Sequence, residues 1–200
     1  MSRGTKGEET KQRILELAAP VFNTKGYAGA SLADILEATG LQKGGLYNHF
    51  DSKEDLALAA FDWSVSQLNV RWREVTKGKT HSIDYLLGVV DMFNDYDTRP
   101  IVAGGCPILN TAIESDDVNP VLRARAQKAM EGMRAKCLST VEKGIERGEI
   151  HPNVDAANLV VVMISLIEGG IMMSKLFGDS SLLRTAQDHA RKLIRNERRA

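Results

Sequence analysis

The apolar residues of the first quarter of the chain recur at helical spacing. The first predicted helix begins near residues 8–10, and its apolar positions form one continuous stripe: Ile14, Leu17, Ala18, Val21 and Phe22. Gly26 stands where a left-handed C-cap would end this helix, and Pro20 is placed to kink its last turns. Ser31, with Asp34 three residues later, predicts the N-terminus of a short second helix.

A glycine-containing break at residues 39–41 separates this second helix from a third, predicted over residues 43–49. Ser52 is the predicted N-cap of a fourth helix that runs to about Lys77, and acidic Glu54 and Asp55 in its first turn favour the positive end of the helix dipole. Two short helices joined by such a turn are the layout of a helix-turn-helix. The spacing alone fits a pair of packed helices in a bundle equally well.

The rest of the chain keeps the helical period and shows neither alternating strand patterns nor internal repeats. Further helices are predicted over residues 81–96, 106–114, 120–145, 155–177 and 181–195. The predicted fold class is therefore all-α.

The predicted third helix carries more polar groups than a buried bundle helix would. Around it, Leu46 and Phe50 are apolar, and we expect them to anchor the helix in the core. Lys43, Tyr47 and His49 can each donate a hydrogen bond to a phosphate oxygen. This composition favours a helix-turn-helix that faces nucleic acid.

Two adjacent glycines, Gly44 and Gly45, lie within the same helix. A glycine in a helix interior costs about 1 kcal/mol relative to alanine, but it lets the backbone approach a partner closely. Contact with a partner explains this cost better than packing inside the protein does.

The segment SLADILEATGLQKGGLYNHFDSKEDL resembles the signature of the TetR family of transcriptional regulators, and the resemblance spans about residues 10–56. It implies a homodimer whose two recognition helices enter successive major grooves of double-stranded DNA. The implied domains are an N-terminal three-helix DNA-binding domain with its arm, residues 1–53, and a larger helical ligand-binding and dimerisation domain, residues 54–200. The implied function is a repressor that a small apolar or electrophilic inducer releases from its operator.

Carried over position by position, the resemblance implies DNA contacts from the helix-turn-helix and from the start of the fourth helix. Gly45 departs from the family pattern, which usually has a serine or threonine there, and this leaves Gln42 as the better candidate for reading a base. The implied DNA-contacting residues are Ser31, Thr39, Gln42, Lys43, Gly44, Gly45, Tyr47, Asn48, His49 and Lys53. Because phosphate contacts dominate affinity, binding is expected to weaken steeply as salt rises.

Both ends of the chain are basic. Residues 1–7, with Arg3 and Lys6, are interpreted as a solvated arm, and contact with an adjacent DNA groove is the alternative. Residues 191–199 are interpreted as a solvated tail rather than as a second DNA site.

Aromatic and methionine side chains recur beyond the helix-turn-helix, and as a set they predict an apolar pocket suited to varied ligands. The candidate lining residues are Trp63, Trp72, Met92, Phe93, Tyr96, Leu109, Ile113, Met130, Met133 and Met172. For each residue alone, ordinary core packing is the alternative interpretation. The sequence leaves open whether the inducer is a drug, a lipid or an electrophile.

Cys106 stands at a predicted helix N-cap, with Pro107 at the first helical position and two glycines before it. Amides and the dipole at a helix start favour a thiolate over a thiol. Some regulators that resemble this one sense electrophiles or oxidants through such a glycine-cysteine step and pair the thiol with a later lysine, for which Lys175 is the candidate. An inert buried thiol and a solvated lysine are the alternatives. Cys137 lies on an apolar stripe and is predicted to be core.

The last two predicted helices are so apolar that they need cover on most sides. A symmetric contact between these helices from two copies is the predicted dimer interface. Its predicted residues are Leu159, Val162, Met163, Leu166, Gly169, Gly170, Met173, Leu182, Leu183, Ala186, Ala190 and Leu193.

The composition, with 43% hydrophobic and 26% charged residues and a formal net charge of zero, fits a globular protein whose DNA-binding surface must be local. Two cysteines, a polar N-terminus and an apolar stretch of only residues 159–167 favour a cytoplasmic protein without disulfides or a membrane span. We find no phosphate loop, zinc-ligand spacing or acyl-transfer motif, so no cofactor, metal or enzymatic activity is expected. The alternatives are a helical ligand-binding protein without DNA activity and a cysteine-dependent enzyme.

Overall fold

The computed structural model describes residues 6–115 and 119–198, which are helical apart from turns and one isolated bridge between Ile150 and Arg198. The helices are α1 Lys6–Lys25, α2 Leu32–Thr39, α3 Lys43–Tyr47, α4 Lys53–Thr76, α5 Ser82–Val90, α6 Pro107–Ser115, α7 Pro120–Glu146, α8 Ala156–Phe177 and α9 Ser181–Asn196. A 3₁₀ turn, Asp91–Phe93, follows α5. The prediction of an all-α fold is confirmed.

The chain folds into two compact units. The first comprises residues 1–68 and 102–126, and the second comprises residues 69–101 and 127–200. The segment that contains α6 therefore belongs to the same unit as the helix-turn-helix. The functional boundary between residues 53 and 54, implied by the resemblance, does not coincide with this division and stays a prediction.

Three helix boundaries differ from the sequence prediction. Helix α1 begins at Lys6 and runs through Pro20 without ending, and its acidic first turn suits the positive end of the dipole. Lys6 is therefore helical rather than part of an arm, while the rest of that arm up to residue 5, including Arg3, lies outside the described residues. Helix α3 ends two residues early, at Tyr47. The helix predicted over residues 81–96 ends at Val90 and tightens into the 3₁₀ turn.

The core of the first unit holds the helix-turn-helix together. Ile14 and Phe22 of α1, Ile35 of α2, and Leu46 and Phe50 at α3 are each at most 2% exposed and pack in one cluster. Burial of such a side chain contributes about 1.5–3 kcal/mol to stability. The prediction that Leu46 and Phe50 anchor the third helix is confirmed.

Hydrogen bonds at the helix starts set the ends of α2 and α4. Ser31 Oγ accepts from the Asp34 amide (3.1 Å), and Asp34 Oδ2 accepts from the Ser31 amide (2.8 Å), which is a complete capping box. Lys25 Nζ lies 2.5 Å from Asp34 Oδ1, and this hydrogen bond, with those from Ser31, holds the pKa of Asp34 far below its usual value. Ser52 Oγ accepts from the Asp55 amide (3.0 Å). The predicted N-caps are confirmed.

A buried polar network within the first unit ties the segment before α6 to the end of α1. Asn23 donates from Nδ2 to the carbonyl oxygens of Ala103 (2.8 Å) and Gly105 (3.0 Å). Asn110 donates from Nδ2 to Asn23 Oδ1 (2.9 Å) and to the carbonyl oxygen of Gly104 (2.9 Å). Because these groups are satisfied only in this arrangement, the network fixes α6 against α1.

In the second unit, α8 and α9 pack closely and bury part of the predicted dimer surface against each other. A Cβ added at Gly170 would lie 2.8 Å from Ala186 Cβ, so the two helices approach closely there. The prediction needs a correction, because several of its residues are buried within one copy of the chain: Leu159, Met163, Gly170, Leu183 and Ala190. These side chains are not free to contact a partner.

The basic end of the chain is more ordered than the sequence suggested. Arg191 Nη2 lies 2.6 Å from Asp91 Oδ1, and Arg191 Nη1 lies 2.8 Å from Asp188 Oδ1. The amide of His151 donates to the carbonyl oxygen of Glu197 (2.9 Å), so the chain stays docked beyond α9. The interpretation of residues 191–199 as a solvated tail is wrong at Arg191, because α9 uses it to hold the end of α5; residue 199 lies outside the described residues.

Helix α8 has the predicted length, and its apolar character extends beyond the stretch 159–167. By length and composition alone it could cross a membrane: its most apolar segment has a mean hydropathy of 1.9, and 39% of that segment is buried. Its inner side packs against α9, and core helices of soluble proteins meet the same criterion.

Gly104 is a point where the fold tolerates no side chain. Its φ is +102°, and a Cβ added there would lie 2.6 Å from the carbonyl oxygen of Asn23. We expect Gly104→Ala to lower the free energy of unfolding by about 1–3 kcal/mol, measured by denaturant unfolding. Gly132→Ala is the control, because Gly132 lies in α7 with open space around it, and it should raise stability by about 0.5–1 kcal/mol. Unchanged stability of Gly104→Ala would contradict the close packing of this turn.

Candidate nucleic-acid interface and effector cavity

Helix α3 presents a polar outer face above its buried anchors. Tyr47 is 38% exposed, Lys43 and Asn48 are exposed, and His49 is half-buried. Lys43 Nζ lies 6.0 Å from the centre of the Tyr47 ring, so the cation and the hydroxyl-bearing ring stand side by side. Gln42 is the exposed N-cap residue, and its side chain makes no capping hydrogen bond within the described chain. These side chains face solvent rather than the core.

The glycines of α3 are not required by the packing of the chain itself. A Cβ added at Gly44 would meet nothing within 4 Å, and one at Gly45 would make ordinary contact with the Leu41 side chain at 3.8 Å. Neither glycine has a positive φ. Because no side chain projects at these positions, a partner can approach the backbone of α3 closely.

The hydroxyl groups at the ends of α2 already have partners in the protein. Ser31 Oγ donates to Asp34 Oδ2 (2.7 Å), and Thr39 Oγ1 donates to the carbonyl oxygen of Ile35 (2.7 Å). Lys53 is half-buried at the first position of α4. The contacts of Ser31, Thr39 and Lys53 with phosphate stay predictions.

The second unit contains an apolar cavity. Its free volume is about 20 Å³, which is room for one water molecule. Its lining residues include Trp72, Val89, Val90, Met92, Phe93, Met133, Cys137, Met163, Ile164, Ile167 and Glu168. A ligand can enter only if these side chains move, and methionines repack more readily than branched side chains do.

Seven of the lining residues were not among the sequence candidates, and two of these seven bring distinct chemistry to the cavity. Glu168 is 8% exposed and brings a carboxyl group to an otherwise apolar wall. Cys137 is fully buried, as predicted for a core residue, and burial raises the pKa of its thiol to about 12. The helical stripe marked Cys137 as internal, but nothing in the sequence distinguishes an internal position beside a cavity from one without.

The predicted pocket residues are only partly gathered here. Trp72, Met92, Phe93 and Met133 line the cavity, while Met172 and Ile113 are exposed. The lining as described does not include Tyr96, Leu109 or Met130. Trp63 packs against the core of the first unit instead. A helical period identifies which residues turn inward, but it does not say which unit they turn into.

Cys106 and Lys175 have very different surroundings. Cys106 is fully buried directly before α6, and Pro107 is the first residue of that helix, as predicted. Gly104 and Gly105 both have φ above +100°, a conformation that residues with a side chain rarely adopt. Lys175 is exposed on α8 in the second unit. The pairing of the two side chains stays a prediction.

A helix-turn-helix with an exposed polar second helix, in a chain whose other unit encloses an apolar cavity, defines the class of DNA-binding regulators with an effector domain. The model of the family described as "Bacterial regulatory proteins, tetR family" matches residues 14–60, and that described as "Tetracyclin repressor-like, C-terminal domain" matches residues 82–190. The chain belongs to the TetR family of transcriptional regulators.

Solved structures and characterised relatives agree. The structure of a TetR transcriptional regulator from Chloroflexus aurantiacus J-10-FL is similar with a TM-score of 0.92 and 44% identity, over 97% of this chain and 98% of that one. A TetR-family regulator from Cytophaga hutchinsonii gives a TM-score of 0.92 and 34% identity over 98% of both chains. The HTH-type transcriptional regulator TtgR of Pseudomonas putida is 28% identical over 190 residues, which is 90% of this chain and 88% of that protein.

The family membership decides between the alternatives that the sequence left open. The protein is a DNA-binding transcriptional regulator, and its class is not enzymatic. Members of this family bind DNA operators and small molecules and act as dimers. A cysteine-dependent enzyme and a ligand-binding protein without DNA activity are both set aside.

The glycine of α3 that faces open space provides a test of this interface. Gly44→Ala should raise the free energy of unfolding by up to about 1 kcal/mol, because alanine is the better helix former. It should weaken binding to the protein's DNA target at least severalfold, because the added methyl group lifts the helix from its partner. Denaturant unfolding and a DNA-binding titration measure the two effects. If Gly44→Ala is more stable and binds DNA with the affinity of the wild type, the missing side chain at Gly44 does not serve DNA binding.

Proposed function

We propose that the protein is a homodimeric repressor that binds its operator through α3 and releases it when a small molecule binds the second unit. The observation that carries this proposal is the exposure of Lys43, Tyr47 and Asn48 above the buried anchors Leu46 and Phe50. Lysine and tyrosine supply donors for phosphate oxygens, and asparagine suits a base edge. The proposed location is the cytoplasm, where the chain meets its DNA without a membrane partner.

The proposed dimer forms through the outer face of α8. Six large apolar side chains on this helix are exposed in one copy: Val161, Val162, Met172, Met173, Leu176 and Phe177. An exposed apolar patch of this kind marks an interface, and a twofold contact of α8 with its copy covers the same patch on both chains. The two α3 helices would then read half-sites about one helical turn apart, roughly 34–36 Å.

The proposed switch is carried by α4. This helix begins with Lys53 beside the helix-turn-helix and continues to Trp72, which lines the apolar cavity. Because the cavity holds about one water, a ligand must displace its lining side chains, Trp72 among them. A ligand that favours the displaced arrangement shifts the population away from the state that fits the operator.

We also propose Cys106 as a second route to release, through reaction with an electrophile. Addition to a quinone would form a bond between sulfur and a ring carbon, and the thiol proton would pass to the quinone, which becomes a hydroquinone. The Cys106 segment is hydrogen-bonded to Asn23 of α1, so its displacement would disturb the unit that reads DNA. Because Cys106 is fully buried, the reagent would reach it through a local opening. Lys175 is the proposed amine partner.

Operator binding is tested first by selecting bound sequences from random DNA with the full-length protein. On the selected sequence, Lys43→Gln should weaken binding. It should also make the negative slope of log K against log salt shallower by about 1 for each recognition helix. Lys128→Gln is the matched control, because Lys128 is exposed on α7 in the second unit, and it should bind as the wild type does. Failure of the wild-type protein to enrich any sequence, or an unchanged slope for Lys43→Gln, would overturn the DNA-binding assignment of α3.

The thiol route is tested by exposing the operator complex to a quinone. The wild-type protein should dissociate, whereas Cys106→Ser and Cys106→Ala should stay bound. Cys137→Ala is the control and should dissociate as the wild type does, since the raised pKa of the buried Cys137 thiol leaves almost no thiolate to react. Lys175→Gln should slow release if the amine assists. Normal release by both Cys106 variants would eliminate this route and leave the apolar-ligand route untouched.

A further inference from the structure

A second cavity of the second unit has a chemistry opposite to that of the apolar one. It is an open cleft of about 660 Å³ between the segment that leads into α5 and the outer face of α7. Its charged lining residues are all cations: Lys79, Lys136, Lys143 and Arg147. Hydroxyl groups also line it, on Thr80, Ser82, Tyr85, Ser139 and Thr140. Such a set of donors suits a ligand that is an anion.

The four cations have no ion-pair partner among the described residues. Within residues 6–115 and 119–198, none of them forms an ion pair with a carboxylate. The nearby Glu149 accepts a hydrogen bond from the Ser82 amide (2.7 Å), which lowers the pKa of its carboxyl group, with a smaller contribution from the charge of Arg147. This carboxylate is already engaged and offsets only part of the charge of the four cations, so the lining suits an anion.

Two of the cations are held in place before any ligand arrives. The stem of Lys79 runs along α5, and a Cβ added at Gly88 would lie 2.9 Å from Lys79 Cε. Arg147 Nη1 donates to the carbonyl oxygen of Thr80 (3.2 Å) and so stays at the rim of the cleft. Cations whose positions are already fixed lose less entropy when they bind, which strengthens binding.

A hydrogen-bonded pair of side chains links the lining of the basic cleft to the lining of the apolar cavity. Trp72 lines the cavity, Tyr85 lines the cleft, and Trp72 Nε1 donates to Tyr85 Oη (2.8 Å). Lys136 of the cleft places Nζ 5.4 Å from the centre of the Trp72 ring, and its neighbour Cys137 lines the cavity. Movement of Trp72 and Tyr85 would therefore join a cationic site to an apolar one.

We infer that the ligand of this unit is an amphiphilic anion, with its charged head in the basic cleft and its hydrocarbon chain in the apolar cavity behind Trp72 and Tyr85. The ligands that fit this description carry a phosphate or a carboxylate head group on an apolar chain. The inference rests on the proposed function only in treating this ligand as the inducer. The Trp72–Tyr85 pair couples the two sites, because its hydrogen bond joins a residue that lines the cavity to one that lines the cleft.

Calorimetry on the full-length wild-type protein tests this with four probes: octyl phosphate, octanoate, octanol and inorganic pyrophosphate. Octyl phosphate or octanoate should bind at least about tenfold more tightly than octanol, which lacks the charge, and than pyrophosphate, which lacks the chain. The tighter of the two anionic amphiphiles identifies the head group. Quenching of tryptophan fluorescence that is lost in Trp72→Phe should accompany binding.

The double variant Lys79→Gln/Lys143→Gln should bind the amphiphilic anion about tenfold or more weakly and leave octanol binding unchanged. Lys128→Gln, which removes the same charge from α7 outside the cleft, should bind as the wild type does. Equal affinity for octanol and both anions, equal affinity for pyrophosphate and octyl phosphate, or wild-type binding by the double variant would overturn the inference. Operator selection without ligand tests the proposed function separately, so a protein that binds DNA but none of these probes would refute only the ligand class.

Discussion

The surface proposed to meet DNA depends on the burial of two side chains beneath it. Helix α3 has five residues, far fewer than a helix needs to be stable by itself, and its N-cap residue contributes no side-chain hydrogen bond. Leu46 and Phe50 supply the missing stability by packing into the cluster formed by α1 and α2. Because these anchors fix the helix from below, its upper face is free to carry lysine, tyrosine, asparagine and two glycines.

The end of α1 serves two neighbours at once. Its apolar residues, such as Phe22, complete the core under the helix-turn-helix, and its polar residue Asn23 holds the turn before α6. The glycines of that turn adopt conformations that side chains rarely allow, so the turn fits in only one way. As a result α6 and the DNA-reading motif form one compact unit, and a disturbance at Cys106 has a short path to α1.

The second unit combines a nearly filled apolar cavity with an open cationic cleft. The cavity is lined by adaptable methionines, including Met92, Met133 and Met163, which suits it to expand around a ligand. The Trp72–Tyr85 hydrogen bond joins a residue that lines the cavity to one that lines the cleft. Since Trp72 belongs to α4, the helix that starts after the helix-turn-helix, the proposed displacement of Trp72 by a ligand would act on the element that leads to that motif.

The sequence by itself determined most of the helices, the caps at Ser31 and Ser52, and the polar outer face of α3, because these depend on local period and local hydrogen bonds. Ser31, Ser52, Leu46 and Phe50 were all recognisable within a few residues of their neighbours. Only the tertiary structure decided that α6 joins the first unit, that Met172 faces outward, and that Lys79, Lys143 and Arg147 share one cleft. Those facts arise from contacts between segments distant along the chain, and a helical period records which residues turn inward but not what they meet there.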